Sequence, residues 1–188
     1  MTELFLRGGP LMWPILLFSI LALWVVADKF LEYKKILKEF SGSFSEILER
    51  RPECIRPIME AVEGGATERE LSLIGTRVVR RLERRLSWLA LISVVTPLLG
   101  LTGTVTGMIK AFMVISIQRG GVEIGMLAGG IWEALLTTAA GLIVAVPAHV
   151  AYHWLDGQME EIALMMKEIG IYLSSNSKIL SQGQKDGV

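Results

Sequence analysis

Residues Ile124–Leu155 read IGMLAGGIWEALLTTAAGLIVAVPAHVAYHWL, and this stretch of 32 residues holds one carboxylate, that of Glu133. The stretch is long and apolar enough to span a membrane, since roughly 20 apolar residues cross the hydrocarbon core. A carboxylate at the depth of the hydrocarbon core is costly, so such residues usually face a protein interior and mark an ion path or a proton relay. Glu133 is therefore the leading functional candidate of this sequence.

Two further uncharged runs lie upstream, Gly8 to Ala27 and Leu86 to Ile109. With 52% hydrophobic residues and a mean hydropathy of +0.49, the composition also indicates an integral membrane protein. A cleaved signal peptide is the alternative for the first run, because residues 25–27 resemble a cleavage site, but Trp24 and a nearly neutral start disfavour it. We predict an all-α membrane protein with three transmembrane helices, two of them extended into a helical cytoplasmic stalk.

The basic residues predict the orientation. Thirteen of the 19 Lys and Arg residues lie between positions 28 and 87, whereas the short link at 117–124 holds only Arg119. Because Lys and Arg favour the cytoplasmic side, we expect a multi-pass protein of the bacterial inner membrane with the N-terminus outward and the C-terminus cytoplasmic. The predicted segments are an outward N-terminus and first span (1–27), a cytoplasmic helical loop (28–87), the second and third spans with an outward link at 117–124 (88–155), and a cytoplasmic tail (156–188).

The predicted loop has the periodicity of amphipathic helices. Apolar residues recur every three or four positions and predict that the first span continues below the membrane: Phe30, Tyr33, Leu37, Phe40, Phe44 and Ile47. Breaks are expected at Arg51 and Pro52 and again at Gly64 and Gly65. Thr67 and Glu70 form a capping-box pattern that opens another helix. Its apolar stripe leads into the second span and is expected to pack, antiparallel, on the first helix: Leu71, Ile74, Val78, Leu82 and Leu86.

Small residues mark the predicted helix–helix contacts inside the membrane. The second span carries a face of small residues: Thr96, Gly100, Gly103, Thr104, Gly107 and Ala111. Such faces let backbones approach closely where the hydrophobic effect gives no drive between helices. Around Glu133, the third span offers small and polar neighbours at helical spacing and further glycines for packing: Gly129, Gly130, Thr137, Ala140, Gly141 and Val144. Glu133 and Thr104 lie ten to twelve residues from the two ends of the link, so the helical rise per residue places them at similar depth in the membrane.

Two longer runs carry a resemblance to a known family. The run from Pro97 to Phe112, PLLGLTGTVTGMIKAF, and the run from Ala128 to Pro147, AGGIWEALLTTAAGLIVAVP, resemble the ExbB/TolQ/MotA proton-channel family. The motif GGPLMWP at residues 8–14 adds to the resemblance at the first span. The match extends over all three spans and is nearest to the ExbB/TolQ branch, in which three spans flank a cytoplasmic loop.

The resemblance implies a ring subunit of a proton-motive-force-driven complex. In such a complex this chain forms a homo-oligomer, a pentamer by the family pattern, around a single-span subunit of the ExbD/TolR type with an intramembrane Asp. A TonB/TolA-like protein then carries work to the outer membrane. The family motif puts the intramembrane glutamate at Glu133, the pore threonines at Thr104 and Thr138, and a hinge at Pro147. Thr137, four residues from Glu133, is the neighbour that helical geometry favours instead. Thr137 and Thr138 therefore both stay candidates for the residue that acts with Glu133.

Other interpretations remain open at this point. Glu133 is alternatively a structural acid satisfied by Thr137 or across an interface, and the chain is alternatively a non-conducting scaffold or a stator subunit of a flagellar or gliding motor. We expect no enzyme and no cofactor, because no catalytic grouping is present. His149 and His153 stand four residues apart, a metal-binding spacing, but no Glu lies between them and we expect no metal site. Lys110 is expected to extend towards the lipid headgroups, with pairing to a neighbouring chain as the alternative.

Overall fold

A computed structural model of the protein describes residues 8–42, 44–117 and 124–183. The described residues form five helices: α1 (Met12–Glu39), α2 (Phe44–Arg50), α3 (Arg56–Glu63), α4 (Glu68–Ile117) and α5 (Ile124–Gly183). They contain no strand, so the predicted all-α fold is confirmed. Most of the predicted outward link, including Arg119 and Glu123, lies outside the described residues.

Three of these helices, α1, α4 and α5, are long and apolar enough to cross a membrane. This confirms the three predicted transmembrane helices. Large apolar side chains on all three point away from the rest of the chain, as lipid-facing or partner-facing residues do. Leu23 on α1 is 70% exposed, Phe112 on α4 is 60% exposed and Ile143 on α5 is 72% exposed.

The chain divides into two compact units. The first, which we call the span unit, comprises residues 8–27, 87–117 and 124–153 among those described. The second, the extension unit, comprises 28–42, 44–86 and 154–183 among those described. The extension unit therefore contains the C-terminal part of α1, all of α2 and α3, the first part of α4 and the last part of α5.

In the extension unit, α1 and α4 lie side by side. The Tyr33 hydroxyl donates to the backbone carbonyl of Leu82 at 3.3 Å, and Arg85 Nη1 lies 2.7 Å from Asp28 Oδ2. The residue numbers rise on one helix as they fall on the other, so the two helices are antiparallel, as predicted. The periodic apolar residues supply the interior: Tyr33, Phe40, Ile47, Leu71, Leu82 and Leu86 are all buried, whereas Phe30 is 42% exposed.

The predicted helix boundaries in the loop are confirmed except at one point. α2 ends at Arg50, α3 ends at Glu63 before the two glycines, and Thr67 precedes α4. The Thr67 backbone N–H donates to Glu70 Oε2 at 2.8 Å and its hydroxyl donates to the same oxygen at 2.6 Å. This is the predicted interaction between the helix start and the acid three residues later.

The exception is the continuous first helix, which was predicted to reach Ile47. α1 ends at Glu39, and α2 is a separate helix. Gly42 lies between them, and its φ of 143° is a backbone conformation that residues other than glycine rarely adopt. The apolar repeat continues across this break because both helices pack into the same unit, and periodicity alone therefore missed it.

The sequence prediction named two extended helices, but α5 also continues past the apolar stretch as far as Gly183. Leu155, Met159, Ile162, Met166 and Ile169 are buried at helical spacing in this last part of α5. The predicted tail from residue 156 thus continues α5 into the extension unit, beside the parts of α1 and α4 that were predicted there. The aromatic ring of Trp154 also stacks on Phe30, with the ring centroids 5.6 Å apart.

Candidate functional site

Glu133 does not stand alone in the structure. Its Oε1 accepts a hydrogen bond from Lys110 Nζ at 2.7 Å, and the contact is an ion pair between α5 and α4. The Glu133 side chain is 24% exposed and that of Lys110 is 55% exposed. A pair in this setting interacts more strongly than a pair in bulk water, because the surrounding dielectric constant is lower.

The carboxylate of Glu133 also lies against the chain segment that precedes α1. Gly9 has φ at 71°, and a Cβ atom added there would overlap Glu133 Oε1. The carbonyl of Gly9 accepts the backbone N–H of Met12 at 3.2 Å, which fixes the turn that starts the helix. Two constraints therefore require glycine at this position, the left-handed backbone and the carboxylate.

The acid is thus the point where three segments of the span unit meet. The turn at residues 8–11, helix α4 through Lys110 and helix α5 through Glu133 all contact one carboxylate group. A carboxylate that exchanges one partner for another changes the contacts of every segment it touches. Chemically, this arrangement suits a proton acceptor whose protonation changes the packing of the segments around it.

The structure places the Lys110 side chain differently from the prediction. We predicted that its side chain extends to the headgroups, with a neighbouring chain as the alternative partner, and it instead pairs within the same chain. One signal in the sequence pointed to this pair. Lys110 is the single charge in residues 86–117, and Glu133 is the single charge in residues 124–155. Two opposite charges in adjacent apolar helices lower their cost by meeting.

Small residues carry the packing of α4 on α5. A Cβ atom at Gly107 would lie 2.8 Å from the Cβ of Ala134, and one at Gly100 would lie 3.0 Å from the Cα of Thr138. One at Gly141 would lie 2.9 Å from the carbonyl oxygen of Thr96. The predicted packing glycines of this face therefore make close helix contacts: Gly100, Gly103, Gly107, Gly130 and Gly141.

Gly129 is the exception among the predicted packing glycines. It is exposed, and a Cβ atom there would meet no described atom of this chain within 4 Å. Gly129 therefore makes no close packing contact with the described residues of its own chain, and its packing role stays a prediction. The helical face that packs on α4 passes through Gly130, and Gly129 lies one residue, about 100° of helix rotation, away from it.

The two threonines of α5 have different surroundings. Thr137 is 1% exposed, packs against Gly103 and donates its hydroxyl to backbone carbonyls of its own helix, at 2.8 Å for Ala134 and 3.1 Å for Glu133. Thr138 donates across the interface to the carbonyl of Gly100 at 2.8 Å. Thr137 thus contacts the backbone of Glu133, whereas Thr138 joins the two helices.

Thr104 is half-buried and donates to the carbonyl of Leu101 in its own helix at 2.6 Å. Its neighbour Gly103 packs on Thr137, and Gly107 packs on Ala134, the residue next to Glu133. Glu133 therefore lies level with about Gly107, three residues or about 4.5 Å of helix rise from Thr104. Thr104 and Glu133 differ in depth by about one helical turn, and Lys110 reaches Glu133 from the next turn along α4.

Pro147 lies inside α5, which is helical on both sides of it. Proline removes one backbone donor from the helix and leaves a carbonyl without its usual partner. A hinge at this residue stays a prediction.

Comparisons with known proteins agree with these features. A family model described as the MotA/TolQ/ExbB proton channel family matches residues 43–168. An ExbB-like biopolymer transport protein of Synechocystis is 32% identical, over 88% of this chain and 76% of its own length. The Tol-Pal system protein TolQ of Haemophilus influenzae is 36% identical over 63% of this chain, and the aligned part is half of that protein. The biopolymer transport protein exbB1 of Vibrio cholerae is 26% identical over 88% of this chain and 85% of its own length.

Proposed function

Because the chain belongs to the MotA/TolQ/ExbB proton channel family, near its ExbB/TolQ branch, we propose that it is the ring subunit of a proton-driven energy-transducing complex. Its three apolar helices suit a multi-pass protein of the bacterial inner membrane. The 13 Lys and Arg residues between positions 28 and 87 support an outward N-terminus and a cytoplasmic extension unit.

The observation that carries the proposal is the ion pair of Lys110 and Glu133. Each charge is the single one in an otherwise uncharged stretch, residues 86–117 for Lys110 and 124–155 for Glu133, and each pairs with the other. We infer that the pair is the resting state of a gate. A proton that reaches Glu133, or an acidic group that competes for Lys110, breaks the pair and releases the contacts at Gly9.

The energy available for this step is modest. A charge that crosses the membrane gains about 2.3 kcal/mol per 100 mV of membrane potential. That is enough to shift an equilibrium between two packings, but several protons are needed for a large displacement. A gate made of one ion pair and a close helix contact suits this energy, because each proton then changes only a small part of the interface.

The partners follow from the same proposal. We propose a homo-oligomeric ring, a pentamer, around a single-span subunit of the ExbD/TolR type, with a TonB/TolA-like protein carrying the work outward. The intramembrane Asp of the inner subunit is the natural competitor for Lys110. Thr104 and Thr138 are proposed to line the pore, and Thr137, which is buried and bonded within its helix, to position the backbone beside Glu133.

Proton flux into liposomes tests this function. The chain is reconstituted with its single-span subunit, and the internal pH is followed with a trapped dye under an imposed potential. We expect Glu133→Gln to lower the flux by about tenfold or more, since the acceptor is lost. Lys110→Gln is expected to raise the uncoupled flux, because the resting pair is absent, and the double variant should behave like Glu133→Gln.

The matched control is Glu160→Gln, the same chemical change at an exposed position of the extension unit. It should leave the flux unchanged. Ring assembly is measured for every variant by mass in detergent. If Glu133→Gln assembles normally and conducts like the unmodified protein, Glu133 is not the proton acceptor and the proposed gate does not exist. If the unmodified complex conducts no better than protein-free liposomes, the chain is a non-conducting scaffold.

A further inference from the structure

Two histidines close together near the end of the third apolar stretch have no role in the function described above. His149 and His153 lie on successive turns of α5, and Asp156 is the first charged residue after them. Both side chains are exposed. Their Nε2 atoms are 3.2 Å apart, and the rings meet edge to face with centroids separated by 4.5 Å. The two nitrogen atoms therefore lie as close together as two ligands of one metal ion.

Ser93 on α4 lies beside His149. Its Oγ is 3.5 Å from His149 Nδ1, and its own hydroxyl donates to the carbonyl of Ala90 at 2.8 Å. With that proton on Ala90, the Ser93 oxygen can accept from Nδ1–H of His149, and in this tautomer the lone pair of His149 is on Nε2. Nε2 is the nitrogen that lies next to His153. Ser93 is 7% exposed, so this support is part of the helix interface.

We propose that His149 and His153 form a chelating site for a divalent transition-metal ion of the zinc and copper type. Imidazole nitrogen suits these ions, and zinc–nitrogen bonds measure about 2.0–2.1 Å. Two nitrogens at that distance from one tetrahedral ion lie about 3.3 Å apart, which matches the observed separation. The bond from His149 to Ser93 is the second contact that orients a metal-binding histidine.

The chelate has two protein ligands in this chain. Among the described residues, no group of three or more His, Cys, Asp or Glu side chains is arranged to hold a metal, so water fills the remaining positions. A site of this kind binds more weakly than a four-ligand structural site and exchanges its ion. The sequence alone predicts no metal site here, because no Glu lies between the histidines. The short distance between the two Nε2 atoms is visible only in the structure.

Metal titration of the full chain in detergent tests the site directly. The chain contains two histidines and one cysteine, so a tag without histidine and a Cys54→Ser background leave His149 and His153 as the only imidazole or thiol side chains. We expect saturable Zn²⁺ binding at one ion per chain. His149→Ala or His153→Ala should weaken it on the order of 100-fold, because chelation is lost, and Ser93→Ala by about tenfold.

Electron paramagnetic resonance of bound Cu²⁺ gives a readout that does not depend on activity or proton flux. Nitrogen hyperfine structure from two imidazoles is expected in the Cys54→Ser chain and from one imidazole in His153→Ala. Gln158→Ala, on the same helix, is the matched control and should keep both. If Zn²⁺ shows no saturable binding, or if the Cu²⁺ spectrum is the same in His153→Ala, the two rings only share a proton and the metal site is refuted.

Discussion

The two units of the chain use the same helices but pack them with different residues. In the span unit, α4 meets α5 through glycine, alanine and threonine, as at Gly107 against Ala134. In the extension unit, the interior of these two helices consists of large side chains such as Leu82, Ile162 and Ile169. A change of residue size thus accompanies the change of surroundings along each helix.

The difference has a physical reason. In water, burying a large apolar side chain removes it from the solvent, which stabilises the packed state by about 25 cal/mol per Å² of apolar surface. In lipid, that drive is absent between helices, and close backbone contact and interhelical hydrogen bonds take its place. The bond from Thr138 to the carbonyl of Gly100 at 2.8 Å is of this second kind. Shortening a buried side chain should therefore destabilise the extension unit, and enlarging a packing glycine should destabilise the span unit.

The largest effect is expected from shortening a buried side chain of the extension unit. Ile162 is 0% exposed, and Ile162→Ala should lower the free energy of unfolding of this unit by about 3 kcal/mol, since it loses burial and leaves a cavity. Thermal unfolding followed by circular dichroism in detergent measures it. Leu164→Ala, at a side chain that is 58% exposed, is the control and should change stability by less than about 0.5 kcal/mol. Equal losses for both variants would remove the contrast.

Adding one methyl group in the span unit comes next. At Gly141, a Cβ atom would lie 2.9 Å from the Thr96 carbonyl oxygen and 3.3 Å from the Gly100 Cα, and these backbone atoms cannot yield cheaply. Gly141→Ala is expected to lower stability against sodium dodecyl sulfate in mixed micelles by about 1–2 kcal/mol. Gly129→Ala, where the space is open, should not be destabilising. A stabilising Gly141→Ala would show that the helices do not pack this closely.

The same substitution in the extension unit should have the opposite sign. Gly75 lies in α4, and a Cβ atom there would meet nothing within 4 Å among the described residues. Gly75→Ala should raise the free energy of unfolding by about 0.5–1 kcal/mol, because alanine is the better helix former. Gly157→Ala, equally open, should give the same sign in thermal unfolding. Destabilisation by both variants would mean that a partner covers these positions.

The smallest effect concerns the one cysteine. Burial, and after it the Glu39 carboxylate, raises the pKa of the Cys54 thiol from 9.0 to about 11. Because the folded pKa is the higher one, the stability this thiol contributes is present below pH 9 and is lost between pH 9 and 11. At pH 8, iodoacetamide should alkylate the folded chain about tenfold more slowly than the unfolded chain. Equal rates in the two states would show that Cys54 is not held in this environment.

Much of the architecture was predictable because each signal acted locally. The lengths of the apolar runs gave three spans, the capping pair Thr67 and Glu70 gave the start of α4, and the glycines and Pro52 gave the breaks in the loop. The break at Gly42 was missed, since its backbone conformation leaves no mark in the apolar repeat. The extension of α5 was not predicted because the charged residues from Asp156 onwards end the apolar stretch, although a buried apolar repeat continues to Ile169.

For the candidate site, the sequence identified the residues but not their partners. Glu133 and the small faces, Thr104 included, were predicted from composition and spacing, and the family resemblance added Thr138 and the pore role of Thr104. The bond of Glu133 to Lys110, the contact with Gly9 and the short distance between the Nε2 atoms of His149 and His153 were not predicted. The first two depend on the stagger of separate segments, and the last depends on rotamers.

The sequence by itself determined that this chain enters a membrane three times and carries one acid and one base inside it, because hydrophobic length and the cost of a charge in lipid depend on residue type alone. Only the tertiary structure decided that the two charges meet and that Gly9 lies against the acid. Such contacts require distances of a few ångströms between residues far apart in the chain, and these distances are set by how closely the small-residue faces of α4 and α5 approach.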